Sequence, residues 1–225
     1  MEEKKIQKYI AESGYCSRRK AEDLVQSGAV SVDGERAHIG QRISDTATVL
    51  IQGRPLNKKA DLTYIKLNKP PGYVCSNRSF KGERSVFELV ASTERLFVVG
   101  RLDKESRGLV VLTNDGAFAH RMTHPSFGHE KEYRVRISTD GDPRRIEKLF
   151  KKGVDIGGGE VGIAVSVHSL SESEYSIVLR YGKKRQIRRM FAALGYTVTD
   201  LLRTRIDTIY LGSLPEGETE VFHLS

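Results

Sequence analysis

The chain has 225 residues, 38% of them hydrophobic and 29% charged, with a formal net charge of +8. That length suits one large domain or a small one beside a medium one, and the charge favours a polyanionic partner. No apolar stretch approaches the roughly 20 residues of a membrane span, and MEEKKIQKYIAESG lacks a signal-peptide core, so the chain reads as cytoplasmic with no membrane partner.

Residues 1–54 read as a separate small domain. Ile6, Tyr9 and Ile10 stand at helical spacing and Gly14 can end that helix. Ser17 is positioned to cap a second helix, Arg18 to Gln26, with Ala21, Leu24 and Val25 on its inner face and Gly28 closing it. Val30 and Val32 then alternate into an Asp33-Gly34 hairpin turn, and Val49 to Ile51 give another strand. Gln52 to Asp61, QGRPLNKKAD, is polar with Gly and Pro and reads as the linker, which puts 55–61 between the two domains. In the larger domain, 62–225, Tyr64, Ile65 and Leu67 predict a strand broken at Lys69-Pro70-Pro71-Gly72. Leu96–Val99 and Leu109–Leu112 predict two more, Asn114-Asp115-Gly116 a turn, and Phe118 and Met122 a short helix. Glu130 to Ile137 is a strand with Tyr133, Val135 and Ile137 on one face. Asp142-Pro143 opens a helix through Ile146, Leu149 and Phe150 that Gly153 closes. Strands are expected at Gly162–Val167 and Tyr175–Leu179, and a last helix from Lys183 to Leu194. Strands and helices mix without steady alternation, which gives an α+β class: a small helix-rich N-terminal domain and a larger, mainly antiparallel sheet with flanking helices.

Three stretches carry chemistry. Gly100-Arg101-Leu102-Asp103 follows an apolar run, so a buried strand delivers an arginine and a carboxylate to its end. An Asp there, beside a basic residue, can stay ionised and act as a nucleophile; alone it reads as a turn residue or a cap. Residues 180–189 hold six basic residues in ten and no acid, a pattern suited to a phosphate backbone. If the helix runs from Lys183, Ile187, Met190, Phe191 and Leu194 form its buried stripe. Arg185 and Arg189 then point away, while Lys184 and Arg188 lie on the flanks, which makes Arg188 the best partner for Asp103. Arg18, Arg19 and Lys20 cluster where the helix dipole disfavours cations, so phosphate contact is a reason for them to be there. His120, His124 and His129 do not share a helical face, and Cys16 and Cys75 form no CxxC, so no metal site is expected. Gly157-Gly158-Gly159 lacks a following Lys-Ser or Lys-Thr and reads as a turn, and no nucleotide cofactor is implied.

The run VGRLDKESRGLVVLTN, residues 99–114, closely resembles the signature of pseudouridine synthases, on the branch that acts at single sites of ribosomal RNA. LNKPPGYVCS resembles the first motif of that family and GKKRQIRR its third, while SRRKAEDLVQSGAVSVDG is similar to the RNA-binding domain first known from ribosomal protein S-four. The resemblance implies Asp103 as the catalytic residue and Arg188 as its ion-pair partner. It implies Tyr133, in Lys131-Glu132-Tyr133, as the ring that stacks on the target uracil. Arg101 and Leu102 would contact substrate beside Asp103, Arg101 holding the flipped state or filling the gap. Lys183, Lys184, Arg185 and Arg189, with Arg18, Arg19 and Lys20, are left as RNA contacts. The implied reaction is isomerisation of one uridine to pseudouridine without cofactor or metal. LLRTRIDTIYLGSLPEGE looks more like large-subunit (23S) than small-subunit (16S) enzymes, and a monomer is the default. Two other readings compete: a non-catalytic ribosomal-RNA-binding or assembly factor, which needs the basic module but not Asp103, Tyr133 and Arg188 together, and a hydrolase, which would want a second positioned carboxylate or a metal. Glu105 and Asp115 are near, but loop capping accounts for them.

Overall fold

The computed structural model describes residues 3–56, 61–76 and 82–224. Contacts divide the chain into two compact units: Met1–Thr63 with Ser92–Phe97 and Thr113–Gly116, and a larger one of Tyr64–Ala91, Val98–Leu112 and Ala117–Ser225. Of the expected linker, residues 57–60 lie outside the described residues. Arg54 and Pro55 pair as a strand and Leu56 packs on the first core, so the small unit runs past residue 54.

In the first unit Lys4–Lys5 pairs antiparallel with Arg42–Ile43, and helices α1 (Ile6–Glu12) and α2 (Arg18–Gln26) follow Lys5. The Ser17 hydroxyl accepts from the Lys20 amide at 3.1 Å, capping an otherwise unpaired donor of α2. Strands β1 (Val30–Val32), β2 (Glu35–Arg36), β3 (Val49–Ile51) and β4 (Arg54–Pro55) pair antiparallel in the order β2-β1-β3-β4. Asp33 and Gly34 both hold positive φ, 51° and 91°, as the tight turn between β1 and β2 requires. Ile6, Ile10, Ala21 and Val25 from the helices bury against Val30, Val32, Val49 and Ile51.

The second unit is built on β5 (Tyr64–Lys69), β6 (Phe97–Val99), β7 (Arg107–Thr113), β8 (Lys131–Ile137), β9 (Ser166–Ser171), β10 (Glu174–Leu179), β11 (Val198–Ile206), β12 (Ile209–Tyr210) and β13 (Thr219–Val221). They form one sheet in the order β9-β10-β8-β11-β7-β5-β13, with β6 beside β7 and β12 beside β11. The pairs β9–β10, β10–β8, β8–β11, β11–β12 and β5–β13 are antiparallel and β11–β7 is parallel, the α+β arrangement expected. Nearly all of β7 is buried, as a central strand covered on both faces should be. Helix α3 (Gly116–Thr123) places Phe118 and Met122 against Tyr64, Val99, Leu109 and Val111. Helix α4 (Pro143–Lys152) starts at Asp142, whose carboxylate accepts from the Arg145 amide, and Gly153 ends it. The Phe150 ring of α4 meets Phe191 of α5 (Gln186–Ala193) edge to face at 4.8 Å. Among the described residues no helix is long and apolar enough to cross a membrane.

Two boundaries differ from expectation. The last helix begins at Gln186, not Lys183, because Arg185 sits in the left-handed region (φ 52°) and the Gln186 carboxamide turns back to accept from the Lys183 amide at 3.0 Å. The expected strand 162–167 is two pieces. Val161–Gly162 pairs with Val154–Asp155 and a separate strand starts at Ser166. A Cβ on Gly162 would stand 2.7 Å from Met190, so glycine lets this piece lie against α5.

Candidate active site

A cleft of about 610 Å³ opens in the second unit. Three segments converge on it: residues 100–104 after β6, Lys131 and Tyr133 from β8, and residues 182–187 leading into α5. β6 ends at Val99, and Gly100 turns with φ 74°, a conformation that suits glycine. The chain then passes Arg101 and Leu102 to Asp103, which is half-buried and lines the cleft. The Ser106 amide donates to the Asp103 carbonyl at 3.1 Å, so a tight turn carries the carboxylate. Leu102 is 9% exposed and its amide donates to the Cys75 sulfur at 3.4 Å. Tyr133, also 9% exposed, belongs to the alternating buried face of β8 and lines the same cleft.

The basic residues divide. Arg101 and Lys184 line the cleft, are exposed, and make no side-chain bond to the described residues. Arg185 also lines it and pairs with Glu105 at 2.9 Å; the bond from Arg185 holds the Glu105 carboxyl below its ordinary value. Glu105 is therefore an ion-pair partner and not merely a loop cap. Lys183 donates to the Val161 carbonyl at 2.9 Å. Arg18, Arg19 and Lys20 are exposed in the first unit.

Two expectations need correction. The direct ion pair between Arg188 and Asp103 is not formed. Arg188 donates to the Val198 carbonyl at 2.9 Å and the Ser106 hydroxyl at 3.4 Å, so it reaches the Asp103 turn from behind, through Ser106. Burial, with the nearby Arg185 charge, pushes its pKa below the ordinary arginine value, while Glu105, Asp103 and Asp200 oppose that. Arg189 does not point freely outward. It donates to the carbonyls of Ile156 and Gly157, both at 2.8 Å, and pairs with Glu160 at 2.6 Å. Its guanidinium is committed to the triple-glycine turn and to Glu160. The rings of His120, His124 and His129 gather around Phe127.

Two residues that the sequence reading passed over hold the Asp103 segment. Lys69 is fully buried and donates to the carbonyls of Ser106 (2.6 Å), Pro70 (3.0 Å) and Lys104 (3.2 Å). Desolvation by burial pushes its pKa below the ordinary lysine value. Arg203, 2% exposed, donates to the carbonyls of Gly100 (2.7 Å), Leu109 (2.8 Å) and, at 3.5 Å, Arg101. Lys69 lies in LNKPPGYVCS and Arg203 in LLRTRIDTIYLGSLPEGE, both stretches that resemble the family, but neither residue type nor spacing points to a role. Burial of a cation whose only bonds go to backbone carbonyls leaves no partner to find in a sequence.

The cleft thus holds a half-buried carboxylate, a tyrosine ring and unpaired cations around a space large enough for a nucleotide. The family profile described as RNA pseudouridylate synthase matches residues 63–193, and that of the S4 domain matches residues 4–58. The dual-specificity RNA pseudouridine synthase RluF of Salmonella typhi is 38% identical over 220 residues, 95% of this chain and 74% of that protein. The ribosomal large subunit pseudouridine synthase B of Vibrio cholerae is 34% identical over 224 residues, covering 95% and 70%. A crystal structure of a pseudouridylate synthase superposes with a TM-score of 0.71 at 31% identity, over 97% of this chain and 96% of that one. With the profile spanning more than half of its residues and relatives matching nearly all of it, this chain belongs to the RNA pseudouridylate synthase family.

Proposed function

We propose that the protein isomerises one specific uridine of ribosomal RNA, in the large subunit, to pseudouridine, with Asp103 as the catalytic group. The observation that carries this reading is the convergence of Asp103 and Tyr133 on one cleft with Arg101 and Lys184 at its lining. The target nucleotide flips out of its RNA context into the cleft. Asp103 promotes cleavage of the glycosidic bond, by attack on the sugar or by taking a sugar proton. The freed uracil is held against the Tyr133 ring, turns, and rejoins through its carbon 5, and a base removes the proton left there. No electron leaves the substrate, so a carboxylate, a stacking surface and a proton acceptor suffice. Arg188 steadies the Asp103 turn through Ser106, and Arg101 and Lys184 face the RNA. The first unit grips an RNA helix through Arg18, Arg19 and Lys20 and raises the effective concentration of the target at the cleft. The protein acts in the cytoplasm as a monomer.

Large-subunit specificity is supported by the similarity to the ribosomal large subunit pseudouridine synthase B of Vibrio cholerae and by the LLRTRIDTIYLGSLPEGE segment. The test is chemical mapping of pseudouridine across ribosomal RNA in cells with the intact chain and in cells carrying only Asp103→Asn. Loss of one 23S site is the expected result. An unchanged map overturns the assignment of Asp103 and of ribosomal RNA together, and a lost 16S site overturns the subunit alone.

A further inference from the structure

We infer that Arg203 is a positioning residue that sets the spacing between the Asp103 carboxylate and the Tyr133 ring. The inference rests on the reading of those two residues as the reacting pair.

Arg203 lies on β11 between the two strands that matter. On one side it stands opposite Tyr133 of β8, and on the other opposite Gly108 of β7. The β8–β11 register shifts at that point: Glu132 faces Arg205 and Tyr133 faces Arg203, so Thr204 is the extra residue of a bulge. Bulges next to active sites re-aim a side chain. The β7 side is equally tight. A Cβ on Gly108 would stand 2.4 Å from the Arg203 carbonyl oxygen and 2.7 Å from its nitrogen, and Gly108 has φ 103°. Glycine is thus required for this approach.

The side chain then joins the strand to the Asp103 segment. Its guanidinium reaches Gly100 and Arg101, three and two residues ahead of Asp103, and Leu109 on β7. Among the described residues no carboxylate pairs with it, although removing a guanidinium from water is costly unless its hydrogen bonds are made. A planar fork with several donors in fixed directions suits acceptors held on two separate segments. The backbone of Arg203 is therefore registered to Tyr133, and its side chain to the carbonyls that lead into Asp103. A shift of either is a change in the gap where the uracil must lie.

The experiment uses the full chain with Arg203→Lys and Arg203→Met. The substrate is ribosomal RNA from cells lacking the enzyme, and Asp103→Asn is the control. Folding is read by circular dichroism and Tm, RNA affinity by Kd, and chemistry by single-turnover rate. Both variants are expected to fold and to bind RNA within about twofold of the native chain, since an orienting interaction acts on the chemical step. The rate should fall about 10²-fold for Arg203→Met, the loss a misplacement of roughly 1 Å can cause, with Arg203→Lys in between. A rate unchanged in the folded variants overturns the inference. So does a parallel loss of rate and affinity, or a failure of both variants to fold, which would make Arg203 a residue of the fold alone. An active Asp103→Asn control would instead overturn the assignment of Asp103, separately from Arg203.

Discussion

Lys69 shows at the scale of one residue how the cleft is held from behind. Its ammonium serves three carbonyls, and the Lys104 carbonyl has a second donor in the Gly72 amide at 2.8 Å. Lys69→Met would therefore strip the donor from Ser106 and Pro70 but not from Lys104. Leaving such carbonyls unserved costs about 1–3 kcal/mol, which urea unfolding would measure; an unchanged midpoint and slope would contradict it. The pH dependence has a definite sign. Burial places the folded pKa below the ordinary value of 10.5, so between the two the unfolded chain binds more protons and stability rises with pH. The advantage of the native chain over Lys69→Met should widen as pH climbs toward 10.5, and a gap that narrows there would refute the assignment of the burial effect.

Pairing of β7 with β11 is the parallel contact that brings the Asp103 turn beside the strand of Arg203, and Arg107 clasps Asp200 across it with two bonds of 2.8 and 2.7 Å. The bond from Arg107 holds the Asp200 carboxyl below its ordinary 3.8, against a smaller opposing effect of burial. A depressed carboxylate contributes fully above the unfolded value and loses its contribution as pH falls through the folded one. Both side chains are about one-third exposed, 32% and 31%, so solvent screening discounts the pair. Arg107→Met should cost about 1–2 kcal/mol near neutrality, between the values for exposed and buried pairs. That difference should shrink below pH 3.8; a difference constant through acid unfolding would refute the role of the pair. Much of this scale was legible in the sequence. Ser17 and Asp142 announced two helix starts, Asp33-Gly34 a hairpin, and the alternation of Tyr133, Val135 and Ile137 a half-buried strand. What escaped has a common cause. Arg185 entered the left-handed region and delayed α5, which moved the basic residues off the helical angles expected of them. Lys69 and Arg203 bind main-chain carbonyls, which every residue possesses, so no partner residue marks the contact. Arg188 found the Val198 carbonyl for the same reason.

At the scale of the whole molecule, the +8 charge is spread over a chain that divides into two compact units. Replacing Arg18, Arg19 and Lys20 together by glutamine should raise KM and leave kcat unchanged. It should also flatten the dependence of log binding constant on log salt by about 2–3, the contribution of three phosphate contacts. A fall in kcat with an unchanged salt slope would show that the cluster does not touch RNA. The bond from Arg203 to the Gly100 carbonyl spans 103 positions of the chain. Contacts of such separation form only after the intervening chain has been collapsed into place. A nascent chain that has emerged as far as residue 200 already carries Asp103, Tyr133 and Arg188, yet lacks the residue that registers the first two. Competence for chemistry is therefore deferred until residue 203 has emerged and docked, whereas residues 4–58, which match the S4 domain, leave the ribosome first and are free to fold well before the cleft is able to act.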